Sequence, residues 1–283
     1  MADRPAPAGP FPGLGHTQPT GVRPLTRLSD AGARADRAAV AEEVPVAFVY
    51  QGRTHAVMMA TPADLEDLAF GFTLSEQIVP RAADITRVDV ARHSRGIELN
   101  ITIPSDAASR LADRARALSG RTGCGLCGVE AIDDAVRGAM TVSSSLLVSS
   151  DALWRAAAAL DASQPLNQDT HAIHGAAWAT PDGDVRIARE DVGRHNALDK
   201  VLGALAREGV DAGTGFLLVT SRASFELVQK AAVFGVSVLA AVSRPTGLAI
   251  RMADSAGMCL IGLLRGRSAN VYTHPERVNA HGQ

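Results

Sequence analysis

Cysteine is scarce in this chain: 283 residues hold three, Cys124, Cys127 and Cys259. So small and odd a set argues against a disulfide framework and leaves reduced thiols with a chemical or metal-binding role. No apolar run approaches the ~20 residues a membrane helix needs. The first residues also lack the charged-then-apolar layout of a signal peptide. Both absences point to a soluble cytoplasmic protein with no membrane partner. Charge of one sign is missing too. Lys and Arg total 28 against 30 Asp and Glu, a net charge of -2, and no basic block stands out, so a nucleic-acid partner is not expected. No internal repeat of fixed period is visible.

What remains is a chain that is 46% apolar, long enough to bury a sizeable core. Residues 1–36 are rich in Pro, Gly, Ala and Arg without an apolar period, which predicts a flexible tail. An α+β lobe is expected over residues 40–118. Val44 to Tyr50 and His55 to Met59 flank Gln51-Gly52 as a hairpin. Thr61-Pro62-Ala63-Asp64 then supplies a capping hydroxyl and an early Pro for a helix to about Gln77, burying Leu65, Leu68, Ala69 and Phe72. Strands Ile85–Ala91 and Ile97–Ile103 follow, and Ser105 caps a helix to about Leu118.

Residues 119–128 read as a mobile Cys-x-x-Cys loop, and residues 129–278 as an α/β lobe. A helix is expected from Asp151 to about Leu160. Ala172–Thr180 and Val185–Ala188 form a hairpin across Pro181-Asp182-Gly183-Asp184. An amphipathic helix runs from Arg194 to about Arg207. Strands Phe216–Thr220, Val236–Val242 and Cys259–Leu264 then alternate with helices Ala223–Phe234 and Thr246–Ala256, which implies parallel pairing through crossovers.

Arg121-Thr122-Gly123-Cys124-Gly125-Leu126-Cys127-Gly128 interleaves three glycines with two thiols, a segment suited to presenting sulfur. Arg121 favours the reactive thiolate. Spacing leaves two readings open. One is sulfur or redox chemistry; the other is half of a tetrahedral zinc site completed by His171 and His174, in a nucleotide-binding module without catalysis. Gly123, Gly125 and Gly128 also match a dinucleotide fingerprint, but the preceding segment reads as a helix end instead of a strand. Cys259 sits in an apolar run as a small buried hydrophobe.

Glu190-Asp191-Val192-Gly193-Arg194-His195-Asn196 lies at a helix N-terminus. It reads equally as a phosphate site or as an ordinary cap by Asp191. Arg222, at the carboxyl end of a parallel strand, is the best single phosphate-binding candidate. The turn Leu263-Leu264-Arg265-Gly266-Arg267-Ser268 is either a ligand-wrapping loop or an exposed turn.

Taken together these segments resemble the FdhD family of formate dehydrogenase accessory sulfurtransferases, from about Glu43 to Val278. The motifs are Glu43-Val44-Pro45-Val46-Ala47, Asp67-Leu68-Ala69-Phe70-Gly71-Phe72, the cysteine loop, Glu190 to Asn196, Thr220-Ser221-Arg222-Ala223-Ser224 and Val271-Tyr272-Thr273-His274-Pro275. The resemblance implies a three-layer α/β/α mixed sheet like that of cytidine deaminases, with a smaller N-terminal lobe and no resident metal. It implies sulfur transfer from a cysteine desulfurase to the bis(molybdopterin guanine dinucleotide) molybdenum cofactor of formate dehydrogenase, by a homodimer. By position, Cys124 would carry the persulfide, Cys127 would assist, and Leu263 to Ser268 would contact the guanine dinucleotide. Arg267 and Ser268 stand where many relatives have an acidic and then a basic residue.

Overall fold

The computed structural model describes residues 13–119 and 140–279, without the side chains of 113–119. The cysteine loop of residues 121–128 therefore lies outside the described residues, as do residues 1–12 and 280–283.

The predicted hairpin forms from β3 (Val44–Tyr50) and β4 (Arg53–Ala60), which follow two earlier strands. Its turn residues Gln51 and Gly52 both take positive φ, 50° and 76°, the twist a two-residue hairpin loop needs. With β5 (Arg87–His93) and β6 (Gly96–Thr102) they make a four-stranded sheet in the order β4-β3-β6-β5, with β3 and β6 parallel. Helices α1 (Leu65–Ser75) and α2 (Ser105–Ser119) cover one face. Leu68, Ala69, Phe72 and Leu111 pack there on Val46, Phe48, Leu99 and Ile101.

Two expectations for this half are corrected. The chain before Asp36 is not wholly a flexible tail. β1 (Thr20–Ser29) and β2 (Gly32–Ala41) pair in antiparallel register over ten residue pairs, closing through Gly32 at φ 108°. Most of their side chains are exposed, so backbone pairing holds the ribbon and no apolar period is needed. Thr61 does not cap α1 either. The residue before α1 is Asp64, in the left-handed region, with no side-chain cap. The Thr61 hydroxyl instead accepts the Val192 N–H at 3.0 Å, far along the chain.

The C-terminal half holds a six-stranded sheet, β13-β12-β11-β10-β8-β9. Its strands are β8 (His174–Ala179), β9 (Val185–Asp191), β10 (Phe216–Val219), β11 (Val238–Ala241), β12 (Cys259–Arg265) and β13 (Ser268–Val271). A short parallel pair, β7 (Val148–Ser149) with β14 (Val278–Asn279), stands apart. Strands β10, β11 and β12 are parallel, as the alternation predicted, and β8 runs antiparallel to β10 and β9.

Alternation along the strands separates two cores. Trp178, Leu217, Val219, Leu239 and Leu260 face α5 (Arg194–Glu208), α6 (Phe225–Val233) and α7 (Gly247–Ala256). Ala177, Phe216, Leu218, Ala240 and Cys259 face α3 (Ser150–Ala162) on the other side. This is a mixed α/β arrangement of helix, sheet and helix layers. Helix α3 starts one residue before the expected Asp151, and Ser149 caps it by accepting the Ala152 N–H. A short helix, α4 (Pro165–Thr170), precedes β8. Among the described residues no helix is long and apolar enough to cross a membrane.

The two halves meet along α1 and α5. A Cβ on Gly71 would stand 1.8 Å from the Asp199 carbonyl oxygen, and one on Gly203 would stand 1.9 Å from that of Asp67. Only glycine permits so close a crossing. Polar ties flank it. Asp67 accepts hydrogen bonds from Arg189 and Arg207. Ser75 donates to Asp199, and Lys230 donates to Ser75, Glu76 and Asp199. Burial alone would pull the Lys230 ammonium down, but the Asp199 and Glu76 carboxylates hold it above its ordinary range.

Candidate functional site: the carboxyl edge of the C-terminal sheet

Because β10, β11 and β12 are parallel, their carboxyl ends share one edge, where open α/β sheets receive ligands. The start of β8 and the end of β9 fall on the same edge, since Thr220 N–H donates to the Gly175 carbonyl and Asp191 pairs with His174. The edge therefore carries, in spatial order, the turn after β12, Ser243 and its neighbours after β11, Thr220 to Ser224 after β10, His174, and Asp191 to His195. With strands ~4.8 Å apart, the span from β12 to β9 is about 19 Å.

The motif Glu190 to Asn196 divides between the joint and this edge. Asp191 is fully buried. It takes Lys200 Nζ at 2.7 Å and the Thr61 N–H at 3.0 Å on one oxygen, and the Gly193 N–H and Asn196 Nδ2 on the other. Lys200, also buried, spends its remaining protons on the Thr61 and Glu190 carbonyls. Asn196 reaches the Met59 carbonyl. The Glu190 carboxylate accepts the Leu166 and Asn167 N–H groups at the start of α4, and burial raises its pKa. Asp191, Lys200 and Asn196 hold the two halves together, while the Glu190 carboxylate is spent on α4 within the C-terminal half.

Arg194 and His195 are left on the edge. His195 Nε2 lies 2.6 Å from Glu226 Oε2, on the first turn of α6, and 3.4 Å from Ser224 Oγ. Arg194 Nε is shielded from solvent without a hydrogen-bond partner. Its charge is felt by His174, whose pKa is lowered by burial first and by Arg194 next. It is felt also by Glu226, whose pKa is lowered chiefly by the His195 hydrogen bond. Glu226 had no place in the sequence reading. Its position four residues beyond Arg222 is the signal that could have found it.

Arg222 is exposed on the same edge, after β10. The 263–268 turn lies two strands away. Leu263 takes φ 54° and Gly266 φ 57°, and the Leu263 N–H reaches the Ser243 carbonyl. Leu264 is buried in the core, so only its backbone faces the turn. Arg265 donates to the Val242 carbonyl, and Arg267 pairs with Asp151 at 2.7 Å on α3. The edge thus unites Arg222, the turn and Arg194-His195; Cys124 and Cys127 cannot be placed on it, being outside the described residues.

The histidines of the zinc reading diverge: His171 is an exposed, left-handed C-cap of α4, while His174 is half-buried on the edge. Among the described residues no three His, Cys, Asp or Glu side chains form a metal-holding group. Cys259 is buried, and burial pushes its thiol up to about 12, as expected of a packing residue.

Fold and edge together define a mixed α/β protein whose C-terminal sheet presents a cation-bearing carboxyl edge. The chain belongs to the FdhD/NarQ family, whose model matches residues 41–279. It is 50% identical over 248 residues to the sulfur carrier protein FdhD of Bordetella petrii, covering 88% of each chain. It is 52% identical over 239 residues to that of Cupriavidus necator, covering 84% of this chain and 83% of the relative. The fold matches the crystal structure of a protein assigned as a formate dehydrogenase accessory protein from Desulfotalea psychrophila. That match has a TM-score of 0.73 at 22% identity and covers 92% of this chain and 99% of the other.

Proposed function

We propose that this chain is a sulfur carrier serving formate dehydrogenase. The observation that carries the reading is its identity of about half with sulfur carrier proteins over most of its length. The Arg121-Thr122-Gly123-Cys124-Gly125-Leu126-Cys127-Gly128 segment supplies the chemistry such a carrier needs. The zinc-stabilised alternative is not favoured.

In finer detail, Cys124 thiolate attacks the terminal sulfur of a cysteine desulfurase persulfide. The donor's S–S bond breaks, its cysteine leaves as thiolate, and Cys124 keeps the sulfane sulfur. Attack by Cys127 on Cys124 Sγ releases that sulfur as hydrosulfide and leaves a Cys124–Cys127 disulfide, which a cellular dithiol reopens. The acceptor substrate is the bis(molybdopterin guanine dinucleotide) molybdenum cofactor. Its polyanionic form suits an edge carrying Arg194, Arg222, Arg265 and Arg267, and the shielded, unpartnered Arg194 Nε fits a phosphate oxygen. The protein works in the cytoplasm as a homodimer, with the 263–268 turn and Arg222 contacting the dinucleotide.

Incubation with a desulfurase and cysteine, followed by intact mass measurement, should show one added sulfur that a reductant removes. Cys124→Ala should abolish it. Absence of the adduct on the unmodified chain, or its survival in Cys124→Ala, would refute the carrier mechanism.

A further inference from the structure

Most charged groups near α5 are consumed by the joint, which makes those that are not consumed conspicuous. Asp191, Lys200, Asn196 and Glu190 all close on partners within the fold. Arg194, His195 and His174 do not close on one another. His195 alone pairs with a carboxylate outside the joint, the half-exposed Glu226 of the neighbouring helix, while the Arg194 charge acts on both Glu226 and His174.

We infer that Arg194, His195 and His174 form a second phosphate-receiving cradle on the sheet edge, and that Glu226 is its internal counter-anion, displaced when a phosphate arrives. The cradle rests on the sulfur-carrier reading only for the identity of the natural ligand, a nucleotide-bearing polyanion. The site itself follows from geometry.

Arg194 offers a fixed charge and a guanidinium whose Nε–H has no acceptor although it is shielded from solvent. A buried donor in that state costs free energy that an incoming oxygen recovers. The Glu226 carboxylate holds the His195 N–H at 2.6 Å, the place a phosphate oxygen would take. His174, depressed by burial and by the Arg194 charge, is held neutral beside them and contributes a hydrogen bond without further repulsion. Ser224 Oγ completes the rim at 3.4 Å from His195. Glu226 is about half exposed and makes its contact with His195 apart from the buried Asp191–Lys200 pair, so its exchange for a ligand oxygen leaves that pair in place.

The position fits a ligand with two separated phosphate groups. The 263–268 turn follows β12, and the cradle draws on the start of α5, the start of β8 and the loop after β10, so both lie along one edge, with Arg222 two residues before Ser224 of the cradle. One end alone would hold a mononucleotide; both ends together suit a molecule carrying two nucleotides.

Isothermal titration of the full chain with inorganic pyrophosphate, and separately with GDP, tests the cradle. Arg194→Gln and His195→Gln should each weaken pyrophosphate about tenfold or more, and Arg194→Lys, which keeps the charge but loses the fork, should fall between. Glu226→Ala should tighten pyrophosphate by about three- to tenfold, because a competing negative charge is gone. Melting curves of these variants should stay near that of the unmodified chain. Pyrophosphate affinity indifferent to Arg194 and His195 overturns the cradle; weaker binding in Glu226→Ala overturns the counter-anion role. The sulfur adduct on Cys124 is read independently. Loss of the adduct with Arg194-dependent binding intact refutes the carrier reading alone, and the reverse pattern refutes the cradle alone.

Discussion

The joint between the halves and the edge of the C-terminal sheet are built from the same stretch of chain, yet they treat charge in opposite ways. In the joint, Asp191 and Lys200 are fully buried and every oxygen and proton that can bond does so. On the edge, Arg194, His195 and Glu226 are partly exposed, and one buried donor has no acceptor. Within four residues, from Asp191 to His195, the chain passes from one regime to the other. Groups that fix architecture are satisfied internally, whereas groups that meet a ligand keep capacity in reserve.

The comparison breaks most visibly at Lys200. Replacing it by Met leaves Asp191 buried without its ammonium, and removal of one partner of a buried pair typically costs about 3–5 kcal/mol. Chemical denaturation of Lys200→Met should show a loss of that order, and Asp191→Asn combined with Lys200→Met should lose less than the two single changes added. An unchanged midpoint for Lys200→Met would mean that the pair does not hold the halves together. Next in size are the crossing glycines. Gly203→Ala places a methyl against the Asp67 carbonyl, so α1 and α5 must separate; overpacking of this kind costs about 1–3 kcal/mol. Gly209→Ala, at φ 68° with open space around its Cβ, meets no such neighbour, so any cost there is backbone strain and not overpacking.

Sequence reasoning found the parts of this comparison unevenly, for physical reasons. The strand and helix alternation from Phe216 to Arg265 was legible because both faces of the parallel strands are buried and the pattern is local. The ribbon of β1 and β2 was not, since backbone hydrogen bonds hold it and its side chains carry no period. Helix α4 was missed because six residues are too short to show one. The joint was invisible because its partners lie far apart in sequence, as with Asp67 and Arg189 or Thr61 and Asp191, and nothing local marks a charge as paired. The edge was half legible. Arg222 and Arg194 stood out by type and position, but the division of Glu190 to Asn196 into tied and open residues needed coordinates. The spacing of the cysteine loop left sulfur and zinc chemistry open, and the loop lies outside the described residues.

A smaller effect separates the regions by pH. His174 is held below its ordinary value of 6.5 by burial and then by Arg194. As pH falls below 6.5 the unfolded chain takes up a proton there while the folded chain does not, so folding loses stability on acidification. His174→Gln should flatten the dependence of the melting temperature between pH 6.5 and 5. Pyrophosphate should flatten it too in the unmodified chain, by offsetting the Arg194 charge. A slope unaffected by His174→Gln would place its origin at another group; Glu190 is not that group, because its raised pKa adds stability as pH falls.

The smallest expected change in stability is at Arg267. Its pair with Asp151 is mostly exposed, and such bridges contribute about 0–1 kcal/mol. Arg267→Ala should therefore leave the melting temperature nearly unmoved, in contrast with Lys200→Met. If the 263–268 turn receives the dinucleotide, the same variant should weaken GDP binding and make it less sensitive to salt, because one phosphate-facing charge is gone. Asp151→Ala frees Arg267 without removing it and should do the reverse, tightening GDP as Glu226→Ala is expected to tighten pyrophosphate at the other end of the edge. Agreement between those two substitutions would mean that each end of the edge keeps a cation, Arg267 or His195, against an internal carboxylate until a phosphate replaces it. Opposite signs would confine that device to His195 and Glu226.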